Sequence, residues 1–401
     1  MNYPKNQRVV LKKLAVLTNE LPPYRRPIFN KLGRQEGLDV TIYLNTRAEP
    51  HRMWSPVGEL PHVEIETVPG FAISSPQPYS ERVVYIPIGV LSALFRKRPD
   101  AVISGEFGFR TLMAWAYCAL FRKPLIIWQG ETEHSAASIS NLQRRARQFL
   151  ARRAAGFLAY GQAARRYLHS LNVDDHKISV LTQSVDNDYW IQAARRADPA
   201  AVRQAHHLTG RVALFIGHLH PRKGAHHLID AWAALPPALQ AENSLLLVGD
   251  GSERKRLKAQ VARLKAQNVV FAGAVPYNEL AAYYAAADFF VFPTLLDVWG
   301  LVVNEAMASG LPVLCSRYAG CAEELIIPGQ TGEVFDPTDT QTLRDLLARW
   351  LQTPYTTPDP AIQAHIQHWD FERSVSGILE QLTRVGVLSP PQSIQADPHE
   401  P

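Results

Sequence analysis

Short apolar runs recur along the chain, separated by longer stretches of mixed polarity. In the first half they fall at Lys13–Thr18, Asp39–Leu44, Ala101–Ser104, Leu125–Trp128, Gly156–Tyr160 and Ile178–Leu181. Alternation of strand-like and helical stretches at this spacing predicts βαβ units and a parallel sheet. The pattern restarts at Val212–Ile216, Ser244–Val248, Val269–Ala272, Phe289–Phe292, Pro312–Ser316 and Gly332–Phe335, with amphipathic segments such as His227–Ala234 and Glu253–Gln267 between them. The expected fold is therefore α/β, with two doubly wound domains. Asp186–Gly210, polar and alanine-rich, separates them. The expected division is 1–190 for the first domain and 191–365 for the second. A segment 366–387 follows, with an amphipathic helix at Phe371–Val385, and then a Pro-rich tail, 388–401, expected to be disordered. Open parallel sheets bind ligands beyond the carboxyl ends of their strands, so the crevice between two of them is the expected site.

Composition narrows the class. Of 401 residues, 46% are hydrophobic and 20% charged, which excludes wholesale disorder. The longest uncharged apolar run, Val83–Phe95, contains a proline and is too short to cross a bilayer, and Leu14–Leu17 is too short for a signal-peptide core. Three cysteines (Cys118, Cys315, Cys321) suit a reducing compartment, so a cytoplasmic location is expected. The net charge of +5 is mild, but Asn141–Arg153 concentrates Arg144, Arg145, Arg147, Arg152 and Arg153 without an acid. Leu142, Ala146, Phe149 and Leu150 form a stripe at helical spacing on the same segment. Two readings stay open for it: a core-facing helix with a solvated arginine face, or a helix resting peripherally on anionic lipid at the inner face of a membrane. No nucleic-acid recognition motif accompanies the arginines, so nucleic acid is not an expected partner.

Two motifs carry candidate chemistry. The first is DVWGLVVNEAMASGLPV, beginning at Asp297, in which Gly300 opens a helix running to about Ser309. Backbone N–H groups of Gly300, Leu301 and Val302 at a helix N-terminus suit an anion such as a diphosphate. Asp297 lies in the loop before this helix and Glu305 about a turn inside it, facing different parts of one ligand. Taken singly, the two acids also fit a turn residue and a helix-dipole partner. The second motif, GHLHPRKG from Gly217 to Gly224, sets Arg222 and Lys223 on a glycine-bounded loop before a helix, a setting that suits phosphate oxygens or, alone, a solvated basic turn. His218, His220, His226 and His227 have no supporting cysteine or carboxylate cluster, so no metal site is expected.

The blocks “FIGHLHPRKG”, “LLLVGDGSERKRL”, “VVFAGAVPYNELAAYYAAADFFVFPT” and “DVWGLVVNEAMASGLPVLCS” are similar in order and spacing to the nucleotide-sugar-binding domain of retaining glycosyltransferase family 4. That family has the GT-B fold of two Rossmann-like domains. In the first half, “TNELPPYRRPIFN” and “FLAYGQAARRYL” resemble one branch of it, more weakly. The resemblance implies transfer of a sugar from a nucleoside diphosphate sugar, UDP- or GDP-linked, to a hydroxyl acceptor, with retention, no divalent metal and no cofactor, in polysaccharide, glycolipid or small-glycoside synthesis. It implies that Gly217, His218, Arg222 and Lys223 hold the donor diphosphate, that Glu305 binds ribose, that Asp297 contacts the transferred sugar and that Val275 belongs to the donor side. Asp297 is one carbon shorter than the family glutamate, and His218 stands where most of the family has arginine; Arg222 is expected to supply that guanidinium. In the first half, His134 and Glu131 follow the strand Leu125–Trp128 and are expected to face the donor sugar. Asn19, Glu20, Tyr24 and Arg25 are expected to line the acceptor side, joined by Glu106. Two other readings fit the same fold, a nucleotide-sugar 2-epimerase and a non-catalytic nucleotide-sugar-binding partner. Asp186-Asn-Asp188 formally matches the D-x-D of metal-dependent transferases, but its place after Val180–Val185 matches the interdomain segment of the two-domain family.

Overall fold

The computed structural model describes residues 11–46, 58–77, 80–137, 139–354 and 357–390. Along the first half run β1 (Lys12–Thr18), β2 (Leu38–Leu44), β3 (Val63–Thr67), β4 (Phe71–Gln77), β5 (Ser80–Ile86), β6 (Ala101–Gly105), β7 (Leu125–Gln129), β8 (Gly156–Tyr160) and β9 (Ile178–Leu181). The second half adds β10 (Val212–Ile216), β11 (Ser244–Val248), β12 (Val269–Gly273), β13 (Phe289–Phe292), β14 (Val313–Ser316) and β15 (Gly332–Phe335). A seven-stranded sheet has the order β3-β2-β1-β6-β7-β8-β9 and a six-stranded one the order β12-β11-β10-β13-β14-β15, while β4 and β5 pair separately as an antiparallel ribbon. Every pair in the two larger sheets is parallel. Both are thus wound outward from a central strand, first to one edge and then past it to the other. The switch falls between β1 and β6 in one sheet and between β10 and β13 in the other, where such sheets open a crevice at their carboxyl ends.

All the apolar runs predicted as strands are strands. Unforeseen were the edge strand β3, whose Val-Glu-Ile-Glu-Thr alternates apolar and polar residues, and the β4–β5 ribbon. The central strands are different in kind: β7, β8, β10 and β11 are buried at every position, because helices cover both faces.

The chain passes between the halves twice. After β9 it enters the helix Asn187–Arg196, whose cap is Asp186: its carboxylate accepts the Tyr189 N–H at 2.9 Å. Asp186 and Asp188 are thus a cap and a first-turn acid, the ordinary use of such residues at a helix start. This helix packs on Leu280–Ala285 and Leu301–Ala308 of the second half. Its Trp190 is fully buried, 5.1 Å from the Tyr277 ring and 5.5 Å from Tyr284. The return is the helix Phe371–Arg384, capped by Asp370 and laid across β9 and β8 of the first sheet. Val375, Ile378 and Leu382 form its buried stripe, each worth about 1.5–3 kcal/mol of transfer free energy. Ser179 Oγ donates to Gln381 Oε1 at 2.8 Å, and Ser374 Oγ to the Thr182 carbonyl at 2.8 Å. The two passages are also tied together, Asn187 Nδ2 donating to the Ile366 carbonyl at 2.9 Å.

Candidate active site

The carboxyl end of β13 leads through a loop to Gly300, which has φ +104°. A Cβ there would lie 2.6 Å from the Phe292 ring, so only glycine lets the helix Leu301–Ala308 begin against that side chain. In the loop, Asp297 Oδ2 accepts from Lys223 Nζ at 2.6 Å and lies 3.7 Å from Arg222 NH1, while Oδ1 accepts the Trp299 N–H at 3.3 Å. Arg222 NH1 also donates to the Leu296 carbonyl at 2.7 Å. Burial works to raise the pKa of Asp297, but attraction to Lys223 and Arg222, with the hydrogen bonds from Lys223 and the Trp299 N–H, outweighs it. The carboxyl is held below its usual range.

Glu305 is a different acid. It is buried, and the hydrogen bond it accepts from Tyr284 Oη at 2.9 Å only partly opposes the desolvation that pushes its pKa up to about 8. Asp297 is therefore ionised at neutral pH, whereas Glu305 mostly carries a proton.

The basic loop sits across from Asp297. The Gly217 N–H donates to the Val248 carbonyl at 3.0 Å, and a Cβ on Gly249 (φ +132°) would lie 2.0 Å from the Gly217 carbonyl oxygen. The loops after β10 and β11 thus meet backbone to backbone. His218 is exposed and stacks on His220 at 6.2 Å, and His220 Nδ1 accepts the Arg222 N–H at 3.2 Å. Val275, half-buried, follows β12.

On the facing half, Asn19, Glu20, Tyr24, Arg25, Glu106 and Glu131 line one cleft of about 220 Å³, and Val298, next to Asp297, reaches it from the second half. Trp128, Tyr160 and Arg110 complete it. The Arg25 guanidinium lies 5.4 Å from the Trp128 ring centre and 5.7 Å from that of Tyr160, with no hydrogen-bond partner at Nε. Glu131 is ion-paired with Arg147 at 2.5 Å, and Arg147 also donates to Tyr167 Oη at 2.6 Å. Arg147 belongs to the basic helix Asn141–Arg153, whose inward face is Arg147, Leu150 and Ala151. Leu142 (79% exposed) and Phe149 point outward, so of the four apolar residues in the stripe only Leu150 is buried. The helix turns Leu150 and Ala151 to the core and leaves Arg144, Arg145, Arg152 and Arg153 exposed; the departure is at Arg147, which pairing with Glu131 and Tyr167 turns inward, and at Leu142 and Ala146, which are exposed.

His134 lies elsewhere, along a groove of about 520 Å³ between the halves. Its Nε2 meets the Leu295 carbonyl at 2.9 Å and its ring stacks on Tyr318 at 4.2 Å, so it braces the loop that carries Asp297. The same border holds Arg166 against Glu323 in a two-bond pair, at 2.7 and 2.5 Å. There too the Glu324 carboxylate accepts the Gln162 N–H at the head of the helix Gly161–Ser170. A Cβ on Gly161 (φ +74°) would lie 2.4 Å from Glu324 Oε1. Sequence reasoning missed Arg110, Tyr160, Tyr284, Tyr318 and Glu324; Tyr160 and Tyr284 lie inside quoted blocks without being singled out, and the other three lie outside them. Among the described residues no group of three or more His, Cys, Asp or Glu could hold a metal ion.

Residues 200–365 match the family model described as glycosyl transferases group 1. The O-antigen chain mannosyltransferase B of Escherichia coli is 34% identical over 142 residues, which are 35% of this chain and 36% of that protein. The D-inositol 3-phosphate glycosyltransferase of Corynebacterium glutamicum (strain R) is 26% identical over 80% of this chain and 81% of its own. For most of the curated relatives the match spans half of their length or less. Among solved structures, Anabaena HepE in complex with UDP superimposes with a TM-score of 0.71 at 21% identity, covering 93% of this chain and 100% of that one. Sucrose-phosphate synthase from Thermosynechococcus elongatus does so with 0.70 at 18%, covering 93% and 98%. The fold is thus GT-B, two Rossmann-like domains facing across a cleft. Residues 200–365, the stretch that carries Asp297, Glu305 and the basic loop, are similar to the group 1 glycosyl transferases.

Proposed function

We propose that the protein moves a sugar from a UDP- or GDP-linked donor to a hydroxyl of an acceptor held in the cleft of the first half, with retention and without a divalent cation. The observation that carries this reading is the cluster of Lys223, Arg222 and Asp297 at the head of the Gly300 helix, one residue from Val298, which lines the cleft. In the reaction the acceptor oxygen bonds to the anomeric carbon, the bond from that carbon to the diphosphate oxygen breaks, and the acceptor proton passes to the departing phosphate. Negative charge then develops beside Lys223, Arg222 and the N–H groups of Gly300, Leu301 and Val302, which are fixed before the reaction begins. Arrival of the diphosphate competes with Asp297 for the Lys223 ammonium and frees the carboxylate to accept from the sugar hydroxyls. Glu305 takes the ribose hydroxyls, Val275 and Gly217 flank the nucleotide, and His218 faces the phosphates. His134 holds the Asp297 loop. The UDP bound by HepE and the glycosyl transfers named for the curated relatives support this class of donor and reaction.

Peripheral contact with anionic membrane through 141–153 is part of the same reading. Leu142 and Phe149 are exposed beside Arg144, Arg145, Arg152 and Arg153, an arrangement that suits an acidic lipid surface. No helix among the described residues is long and apolar enough to cross a membrane. Calorimetry with UDP, GDP and their sugars, followed by acceptor-dependent release of nucleoside diphosphate in excess chelator, tests the reaction. Expected are binding of one nucleotide and turnover that chelation leaves intact. Absence of nucleotide binding, donor turnover into an epimer without acceptor, or activity restored only by manganese or magnesium would overturn it.

A further inference from the structure

The cleft of the first half does not end at its own walls. A second cavity, of about 310 Å³, shares Asn19, Gly105, Glu106 and Arg110 with it and opens outward between the helices Phe109–Phe121 and Asn141–Arg153. Arg110 stands at the junction. It is 7% exposed; NH1 donates to Asn19 Oδ1 and NH2 to the Gly105 carbonyl at 2.8 Å, while Nε has no partner. Neither Arg110 nor Arg25 forms an ion pair with a described residue. Glu106 lines both cavities and, with Glu20, lies near Arg25; Glu106 is the one acid that acts on Arg110 among the described residues, and Glu131 is taken by Arg147. Burial lowers Arg110 to about 10, as expected for a cation short of compensation. The helix Phe109–Phe121 begins at the same place with no side-chain cap on its first N–H groups. Beyond Arg110 the lining turns apolar, with Leu112 and Ala146 and with Phe109 and Leu142, which are 50% and 79% exposed.

We infer that the acceptor is an anionic amphiphile, its phosphate at Arg110 and Arg25 and its apolar chain in the groove lined by Phe109, Leu112, Leu142 and Ala146. This rests on the reading of the cleft as the acceptor side. A buried cation is costly without an anion, and an apolar groove next to it is costly in water; one ligand of this kind satisfies both.

Trp128, beside Arg25, reports on the cleft by its fluorescence. Three probes are titrated below their micelle concentrations and without donor: decyl phosphate, decyl glucoside and inorganic phosphate. Decyl phosphate is expected to bind about tenfold or more tightly than either of the others. Arg110→Gln should abolish the preference over decyl glucoside, and Leu142→Asp, at an exposed position, the preference over inorganic phosphate. If Arg110→Gln does not fold, the three probes on the unaltered protein and the Leu142 variant still decide. Inorganic phosphate binding as tightly as decyl phosphate would overturn the apolar part in favour of a soluble phosphate acceptor. Decyl glucoside binding as tightly would overturn the anionic part. No binding, or preferences that both variants keep, would overturn the whole. Because no donor is present, such failures leave the nucleotide reading standing, and absent nucleotide binding would leave this result intact.

Discussion

The two halves share a winding and differ in what they place at its mouth. At the carboxyl end of the second sheet the cations Lys223 and Arg222 are set against an acid of their own domain, Asp297, within one short loop cluster. At the mouth of the first, Arg25 lies among aromatic rings and Arg110 is buried with neutral partners. In the second half the cations are paired with an acid; in the first, Glu20 and Glu106 support Arg25, while Arg110 is buried without an ion pair to a described residue. The shared topology supplies a crevice twice, and the side chains at its rim give each half a separate task.

The largest test of that division is Lys223→Ala. Loss of a charged contact costs roughly 1.5–3 kcal/mol, so donor affinity and turnover are expected to fall together by about ten- to a hundredfold. Binding of decyl phosphate to the first half should stay within about twofold. A variant whose nucleotide affinity matches the parent in calorimetry would make Lys223 a partner of Asp297 alone.

Within the second half, the two acids are expected to act on different parts of the donor. Glu305→Gln should weaken the nucleoside diphosphate itself by about tenfold, whereas Asp297→Asn should spare nucleotide affinity and lower chiefly the turnover rate. Equal losses of nucleotide affinity in both would remove the distinction.

A third expectation follows from the proton on Glu305, whose pKa stands near 8. If ribose binds the carboxylate, nucleotide affinity should rise with pH by nearly tenfold per unit below 8 and level off above it, with a proton released on binding. Calorimetry in buffers of different ionisation enthalpy measures that proton; a flat profile between pH 6 and 9 contradicts it. The same shift has a sign for stability. The unfolded chain gives up this proton near 4.5 and the folded chain near 8, so the contribution of Glu305 is full below the first value and is lost as pH rises through the second. Glu305→Gln should therefore raise the melting temperature at pH 8.5 more than at pH 5.

The smallest effect is expected at the border. Arg166 and Glu323 are each about half exposed, so Arg166→Ala should cost no more than about 1 kcal/mol. Donor binding should compact the molecule in small-angle scattering, and the variant should begin slightly more open. Profiles unchanged by saturating donor would argue against closure.

Most of the second half was legible because its chemistry is local. Gly217 to Gly224 and Asp297 to Glu305 each carry their glycine, charges and helix start in one stretch, so spacing alone places them. The first half assembles its cleft from Asn19, Arg25, Glu106, Arg110, Trp128 and Tyr160, at the ends of four strands and the head of a helix. Nothing in the neighbours of Arg110 distinguishes it from a solvated arginine; only the packing of two helices around it does. The basic helix was misjudged in part for the same reason, since the partners that turn Arg147 inward come from Glu131 and Tyr167.

The helix Phe371–Arg384 also bears on how the protein is made. It covers β8 and β9, with Ser179, Thr182 and Leu181 beneath it, although almost two hundred residues separate it from them. The second domain is continuous in the chain and can reach its native packing while still tethered to a ribosome. The first, begun earlier, lacks one wall until Phe371–Arg384 has emerged. Completion of the first domain therefore follows that of the second, and a nascent chain that has exposed everything before Phe371 would carry a finished second domain beside an unfinished partner with an uncovered apolar face, the state in which a chaperone would most readily engage it.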